Sequence, residues 1–121
     1  MYRRRARIIA LVESLPGASA TPLADGHLSF DVRGRRFGYY LYHHHGDGRV
    51  SVNCKAEPGA NRALIDFGPD RFHIPAYLGS RHWTGLWIDL PNVNWDEIES
   101  VITDAYRLTA PKRLLKQLRH E

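Results

Sequence analysis

In HLSFDVR, residues 27–33, apolar Leu28, Phe30 and Val32 alternate with polar His27, Ser29, Asp31 and Arg33. A period of two places the apolar set on one face of an extended strand and the polar set on the other. Such a strand belongs in a sheet with one face against a core and one toward water, which is the habit of antiparallel sheets. The pattern returns in RVSVNCK, where Val50, Val52 and Cys54 share a face. It returns again in TGLWIDL, with Leu86, Ile88 and Leu90 opposite Gly85, Trp87 and Asp89.

Turn chemistry links these strands. Gly34 within RGRR connects HLSFDVR to FGYYLYHHH, and GDG at Gly46 to Gly48 returns the chain into RVSVNCK. Three consecutive antiparallel strands, a meander, are expected. RFHIPAY adds a strand with Phe72 and Ile74 on one face. Pro75 lacks a donor for the ladder, so that strand is expected at an edge or to end there.

Helical spacing governs the rest. Ile8, Leu11, Val12 and Leu15 predict an amphipathic helix over Tyr2 to Leu15, ended by Pro16-Gly17, with its arginines mostly on the wet side. In EPGANRALIDFG, Pro58 suits a first turn, Ala60, Leu64 and Phe67 line one side, and Gly68 closes the helix. In NWDEIESVITDAYRLT, Asn94 caps the start, with Glu97 as reciprocal partner in a capping box. Ile98, Val101, Ile102 and Ala105 form its buried stripe. Pro111 opens a last short helix with Leu114, Leu115 and Leu118 on one side. The order α-βββ-α-ββ-αα defines an α+β domain, an antiparallel sheet with helices packed largely on one face.

At 121 residues the chain is expected to form one domain, residues 1–121, with 43% hydrophobic and 25% charged residues in the ordinary globular range. No apolar run approaches the roughly 18–20 residues that span a bilayer, so no membrane association is expected. The apolar patch Ile8 to Val12 behind Arg3, Arg4, Arg5 and Arg7 is followed by Glu13 and is too short for a signal peptide. A single cysteine, Cys54, fits a reducing cytoplasm.

The residues exclude several chemistries more readily than they select one. His43 and His45 share a strand face near Asp47, but two imidazoles fall short of the three or four ligands of a metal site. No metal or cofactor is therefore expected. Cys54 has no C-x-x-C partner and lies on the face of Val50 and Val52, as a small buried hydrophobe would. No glycine-rich phosphate cradle is present, and Asp96, Glu97 and Glu99 suit a helix N-terminus better than acid–base work. The formal charge is +4 and unevenly spread, with basic clusters near both ends. That distribution reads equally well as a footprint for phosphate backbones or as solvated helix faces.

The LPG of Leu15 to Gly17, KAEPG at Lys55 to Gly59, RFHIPAYLGSRHWTGLWIDL at Arg71 to Leu90 and DAYRLTAPKRLLKQL at Asp104 to Leu118 resemble the MmcQ/YjbR family. The resemblance implies an α-β(3)-α-β(2)-α two-layer fold of the secretion-chaperone-like type. It also implies the double-wing arrangement for which the family is labelled DNA-binding. It defines no catalytic residues. Where many relatives have an Asn-Lys or similar pair before His-Trp, this chain has Ser80-Arg81, which retains the cation.

The resulting expectation is a non-enzymatic, cytoplasmic, DNA-binding protein, a monomer or weak homodimer. Basic residues interleaved with aromatics near turns carry it: Arg33, Arg35, Arg36, Tyr40, Tyr42, Arg81 and Trp83. Arg33, Arg35, Arg36 and Arg81, helped by Lys112, Arg113 and Lys116, would contact phosphates, with Trp83 packed against or alongside the partner. The alternative is a chaperone-like protein-interaction module.

Overall fold

The computed structural model describes residues 2–43, 46–76 and 81–119. Helix α1, Tyr2–Glu13, leads into strands β1 (Ala18–Pro22), β2 (Leu28–Val32), β3 (Arg35–Tyr42) and β4 (Val50–Cys54). Helix α2, Ala60–Phe67, separates these from β5 (Phe72–His73) and β6 (Thr84–Trp87); helices α3 (Trp95–Thr109) and α4 (Lys112–Arg119) follow. The strands form one antiparallel sheet in the order β1-β2-β3-β4-β6-β5. The fold is α+β, as the alternation predicts.

The strand count differs from the expected three-plus-two. Edge strand β1 pairs with β2 from Ala18↔Val32 to Pro22↔Leu28. Its sequence, ASATP, buries only Ala20, so it carries no alternation of large apolar residues to reveal it. At the other edge, β5 stops at His73, just before Ile74 and Pro75, as the missing proline donor requires. Ile74 therefore does not share a strand face with Phe72; it is exposed.

Register partners lie on one face, and a single row crosses five strands: Leu28, Tyr40, Val52, Leu86 and Phe72. All five are buried, and Ile8 and Val12 of α1 with Ile98, Ile102 and Tyr106 of α3 join the same core. Fully burying each such side chain contributes about 1.5–3 kcal/mol, so this row and its helical lid dominate the stability. The opposite face carries Ser29, Tyr39, Asn53, Gly85 and His73 in the neighbouring row.

Two helix expectations need correction. Phe67 is 72% exposed, while Asn61 is the buried residue of α2. Of the expected stripe, Leu64 packs against the core and lines an open groove with Ala60, while Phe67 stays in solvent. In α3, Asn94 Oδ1 accepts from Glu97 N at 3.2 Å, as a cap should. Glu97 does not return the bond, because Arg71 takes both its oxygens at 2.6 and 3.0 Å.

Candidate functional site

A one-residue irregularity builds the site. Phe30 pairs with Gly38, but the next residue, Asp31, pairs with Arg36, leaving Phe37 as an extra residue on β3. Such a bulge re-aims the side chains around it. Phe37 turns into the core, fully buried against Phe30 and edge-on to Tyr106, with centroids 6.0 and 5.8 Å away. Arg36 is thereby set beside Tyr39, to whose hydroxyl it donates at 2.9 Å. Its Nε donates to Asp31 at 3.1 Å, and Ser29 Oγ holds the other Asp31 oxygen at 2.6 Å. The bond to Tyr39, with Asp31 behind it, raises the Arg36 pKa against the opposing effect of burial.

Lys55 and Arg81 complete the cluster. Lys55 N donates to Phe37 O at 3.0 Å, extending the β3–β4 pairing past the bulge. Asn61 donates to the Trp83 carbonyl at 3.0 Å and pins the entrance to β6, where His82 holds a left-handed φ of 68°. Arg36, Tyr39, Lys55, Arg81 and Trp83 then line one cleft of about 380 Å³. Among the described residues neither Lys55 nor Arg81 has an ion-pair partner. Two unneutralised cations and a tethered third, walled by an indole and a phenol, form an anion-binding arrangement.

The other predicted residues lie toward the same end of the sheet. Arg33 and Arg35 are exposed at the β2–β3 turn, where Val32 pairs with both Arg35 and Ala18. Gly17, next to Ala18, packs beneath Leu114 of α4: a Cβ there would come within 2.9 Å of Leu114. Helix α4 presents Lys112, Arg113 and Lys116 to solvent.

Trp83 is 6% exposed and stands 5.9 Å from Tyr39, so it is a wall of the cleft. Tyr40, expected among the recognition aromatics, is buried in the core row; Tyr42 is exposed near the far end of β3. Tyr39 and Lys55 were not expected in the site. An unbroken alternation would put Phe37, not Arg36, on the face of Tyr39, and the one mark of a bulge is Gly38 inside the strand.

Three of the four amino-terminal arginines are engaged within the fold, and Arg3 is exposed. Arg4 donates to the carbonyls of Ile88 and Leu90, both at 2.6 Å, and of Pro91 at 3.1 Å. Arg5 donates to Gly26 O at 3.2 Å, and Arg7 lies 4.2 Å over the Trp95 ring. These contacts give Arg4, Arg5 and Arg7 a structural role.

A second polar group lies on the same sheet face. His73 stacks on Trp87, and Arg49 lies 3.9 Å from the Trp87 centroid while gripping Asp89 through two bonds of 2.8 and 2.9 Å. Burial, then the nearby Arg49 charge, pushes His73 down to about 4. Burial also pushes the Cys54 thiol far above its ordinary value. Among the described residues no three His, Cys, Asp or Glu side chains gather to hold a metal, and His44 and His45 of the histidine run lie outside them. No described helix is long and apolar enough to cross a membrane.

A helix-backed antiparallel sheet with a basic, aromatic cleft at one end defines a class of α+β protein. The chain belongs to the YjbR family, whose model matches residues 13–108. It is similar in fold to a Deinococcus radiodurans protein with the domain DUF419, at 20% identity and TM-score 0.71, over 93% of this chain and 86% of that one. It is likewise similar to a Pseudomonas syringae protein, a structural-genomics target, at 14% identity and TM-score 0.70, over 87% and 97% of the two chains. No curated protein matches the sequence significantly.

Proposed function

We propose that the protein binds DNA through phosphate contacts made at the cationic end of the sheet, without sequence selectivity. One observation carries this reading: Arg36, Lys55 and Arg81 line a single cleft with Tyr39 and Trp83. Cations that replace the condensed counterions of a nucleic acid gain affinity whatever the base sequence. Arg33 and Arg35 at the β2–β3 turn and the solvent-facing cations of α4 extend the same field.

In this reading the protein acts by binding and not by catalysis. Its cysteine is a buried thiol held protonated, and its stacked histidine is held neutral away from the cleft. Both suit structure better than nucleophilic or acid–base work. A cytoplasmic setting follows from the partner proposed and accords with a single unpaired cysteine.

Fluorescence anisotropy with a mixed-sequence duplex tests the proposal. At about 50 mM salt, the double variant Lys55→Gln/Arg81→Gln is expected to weaken binding about tenfold or more. Arg3→Glu, on the exposed side of α1, changes the net charge by the same two units, serves as the charge-matched control and is expected to change little. Equal losses in both variants would remove the cleft from the account.

A further inference from the structure

Among the described residues, the side chains lining the cationic cleft offer hydrogen-bond donors and no free acceptor. Lys55 and Arg81 have no acceptor atoms, and Trp83 has only its indole N–H. Arg36 gives its Nε proton to Asp31 and an Nη1 proton to Tyr39, which leaves its Nη2 protons to be given elsewhere. The Tyr39 hydroxyl accepts from Arg36, so its own proton is also left to donate. Asp31, the carboxylate behind Arg36, has one oxygen bonded by Arg36 and the other by Ser29. No described carboxylate lines the cleft itself.

Such a lining fits a group made only of acceptors. A terminal phosphomonoester carries three acceptor oxygens and a charge of about −1.5 to −2 at pH 7. A phosphodiester inside an uninterrupted strand carries a single charge, and the strand leaving it on both sides keeps it from entering a concavity. The cleft, of about 380 Å³, has room for a terminal phosphate and its sugar. Trp83, 6% exposed, and Tyr39 wall it with aromatic surface. Less water then reaches a charge held inside, which strengthens its bonds to the cations.

We infer that the cleft selects the terminal phosphomonoester of a DNA strand over the phosphodiesters within it. The inference rests on the DNA-binding reading and adds to it a preference for strand ends. At an end, Arg36, Lys55 and Arg81 converge on one phosphate; along uninterrupted duplex the same cations are shared among neighbouring phosphates. Arg33 and Arg35, exposed at the β2–β3 turn, then meet phosphates further along the strand.

Three duplexes of one sequence, each labelled at an internal thymine, test it by anisotropy at about 100 mM salt. One is linear with 5′-phosphates, one is linear with 5′-hydroxyls, and one is a dumbbell closed by hairpin loops. The phosphorylated duplex is expected to bind at least about fivefold tighter than the other two. In Lys55→Gln/Arg81→Gln that advantage is expected to fall below about twofold. Thymidine 5′-monophosphate, a free source of the same group, is expected to compete only at concentrations at least about tenfold higher, because it reaches no further cations. Equal binding of the three duplexes by the wild type would overturn the end preference and leave the DNA-binding reading standing. An advantage undiminished in the double variant would also overturn it, by placing the terminal phosphate outside the cleft. Competition by the nucleotide as effective as that by the phosphorylated duplex would give the cleft to free nucleotide instead. Binding of none of the three duplexes would remove the DNA-binding reading and this inference with it.

Discussion

The His73 imidazole lies on the Trp87 ring, with centroids 3.7 Å apart and planes 17° from parallel. The Arg49 guanidinium is 3.9 Å from the same Trp87 centroid. Two planar groups cannot come that close to one centroid on one side without overlapping, so the indole is sandwiched between them. Gly85, the register partner of His73, makes the stack possible, since a Cβ there would strike the imidazole ring. The two cation-capable groups share one indole only if one stays neutral, and His73, pushed down to about 4, is the neutral one.

Acid sensitivity follows with a definite sign. Unfolded, the histidine titrates near 6.5; folded, it titrates near 4, so the unfolded chain binds the extra proton between those values. The contribution is fully present above about pH 6.5 and is lost as pH falls toward 4. With solvent screening of this half-buried group, the loss is on the order of 1–2 kcal/mol. Urea denaturation at pH 7 and pH 4.5 measures it. The His73→Phe variant, which keeps the stack without a titrating group, is expected to lose less stability over that interval than the wild type.

Asp89 anchors the other side of the sandwich. It accepts two bonds from Arg49 and one from Val50 N at 3.0 Å. Burial alone would raise the Asp89 pKa, but these bonds outweigh it and hold the carboxyl below its ordinary value. Asp89→Asn is expected to cost about 1–2 kcal/mol at pH 7, because the pair is partly exposed. The difference between variant and wild type is expected to shrink as pH falls below the ordinary carboxylate range. A pH-independent difference would contradict the assignment.

Gly38 sets the closest approach in the core. A Cβ there would lie 2.5 Å from the Phe30 ring and 2.9 Å from Cys54 Sγ. Both neighbours are fully buried and have little room to move. Gly38→Ala is expected to destabilise the protein by about 1–3 kcal/mol, read as a lowered melting temperature. An unchanged melting temperature would mean that the bulge relaxes to admit the methyl group.

Arg4 and Arg81 test the division between an arginine that holds the fold and one proposed to bind DNA. Arg4→Ala leaves the carbonyls of Ile88, Leu90 and Pro91 without this donor and is expected to cost about 1–3 kcal/mol of stability. Its effect on DNA affinity should be small. Arg81→Gln is expected to do the reverse, weakening DNA binding with little change in melting temperature. Paired thermal-melt and anisotropy measurements on both variants check the distinction.

The legible parts of this fold are those in which a periodic pattern meets a packed face. Leu28, Phe30 and Val32 alternate in the sequence and are all fully buried. Asn94 caps α3 as its position implies. Strand β1 escaped because alanine, serine and threonine on an edge generate no contrast between faces. The bulge escaped because its one compositional mark, Gly38 inside β3, serves a close backbone approach equally well, and with it went the inward turn of Phe37 and the placing of Arg36 by Tyr39. Arg36, Arg81 and Trp83 were legible as a cluster because each flanks a turn. Lys55 belongs beside them only through the pairing of β4 with β3 and β6.

The dependence of DNA affinity on salt tests the central claim most directly. With at least three phosphate contacts from Arg36, Lys55 and Arg81, the logarithm of the association constant should fall linearly with the logarithm of salt, with a slope of about −3 or steeper. Lys55→Gln/Arg81→Gln should make that slope shallower by about two. Absence of duplex binding at about 50 mM salt, where electrostatic attachment is strong, would contradict the account.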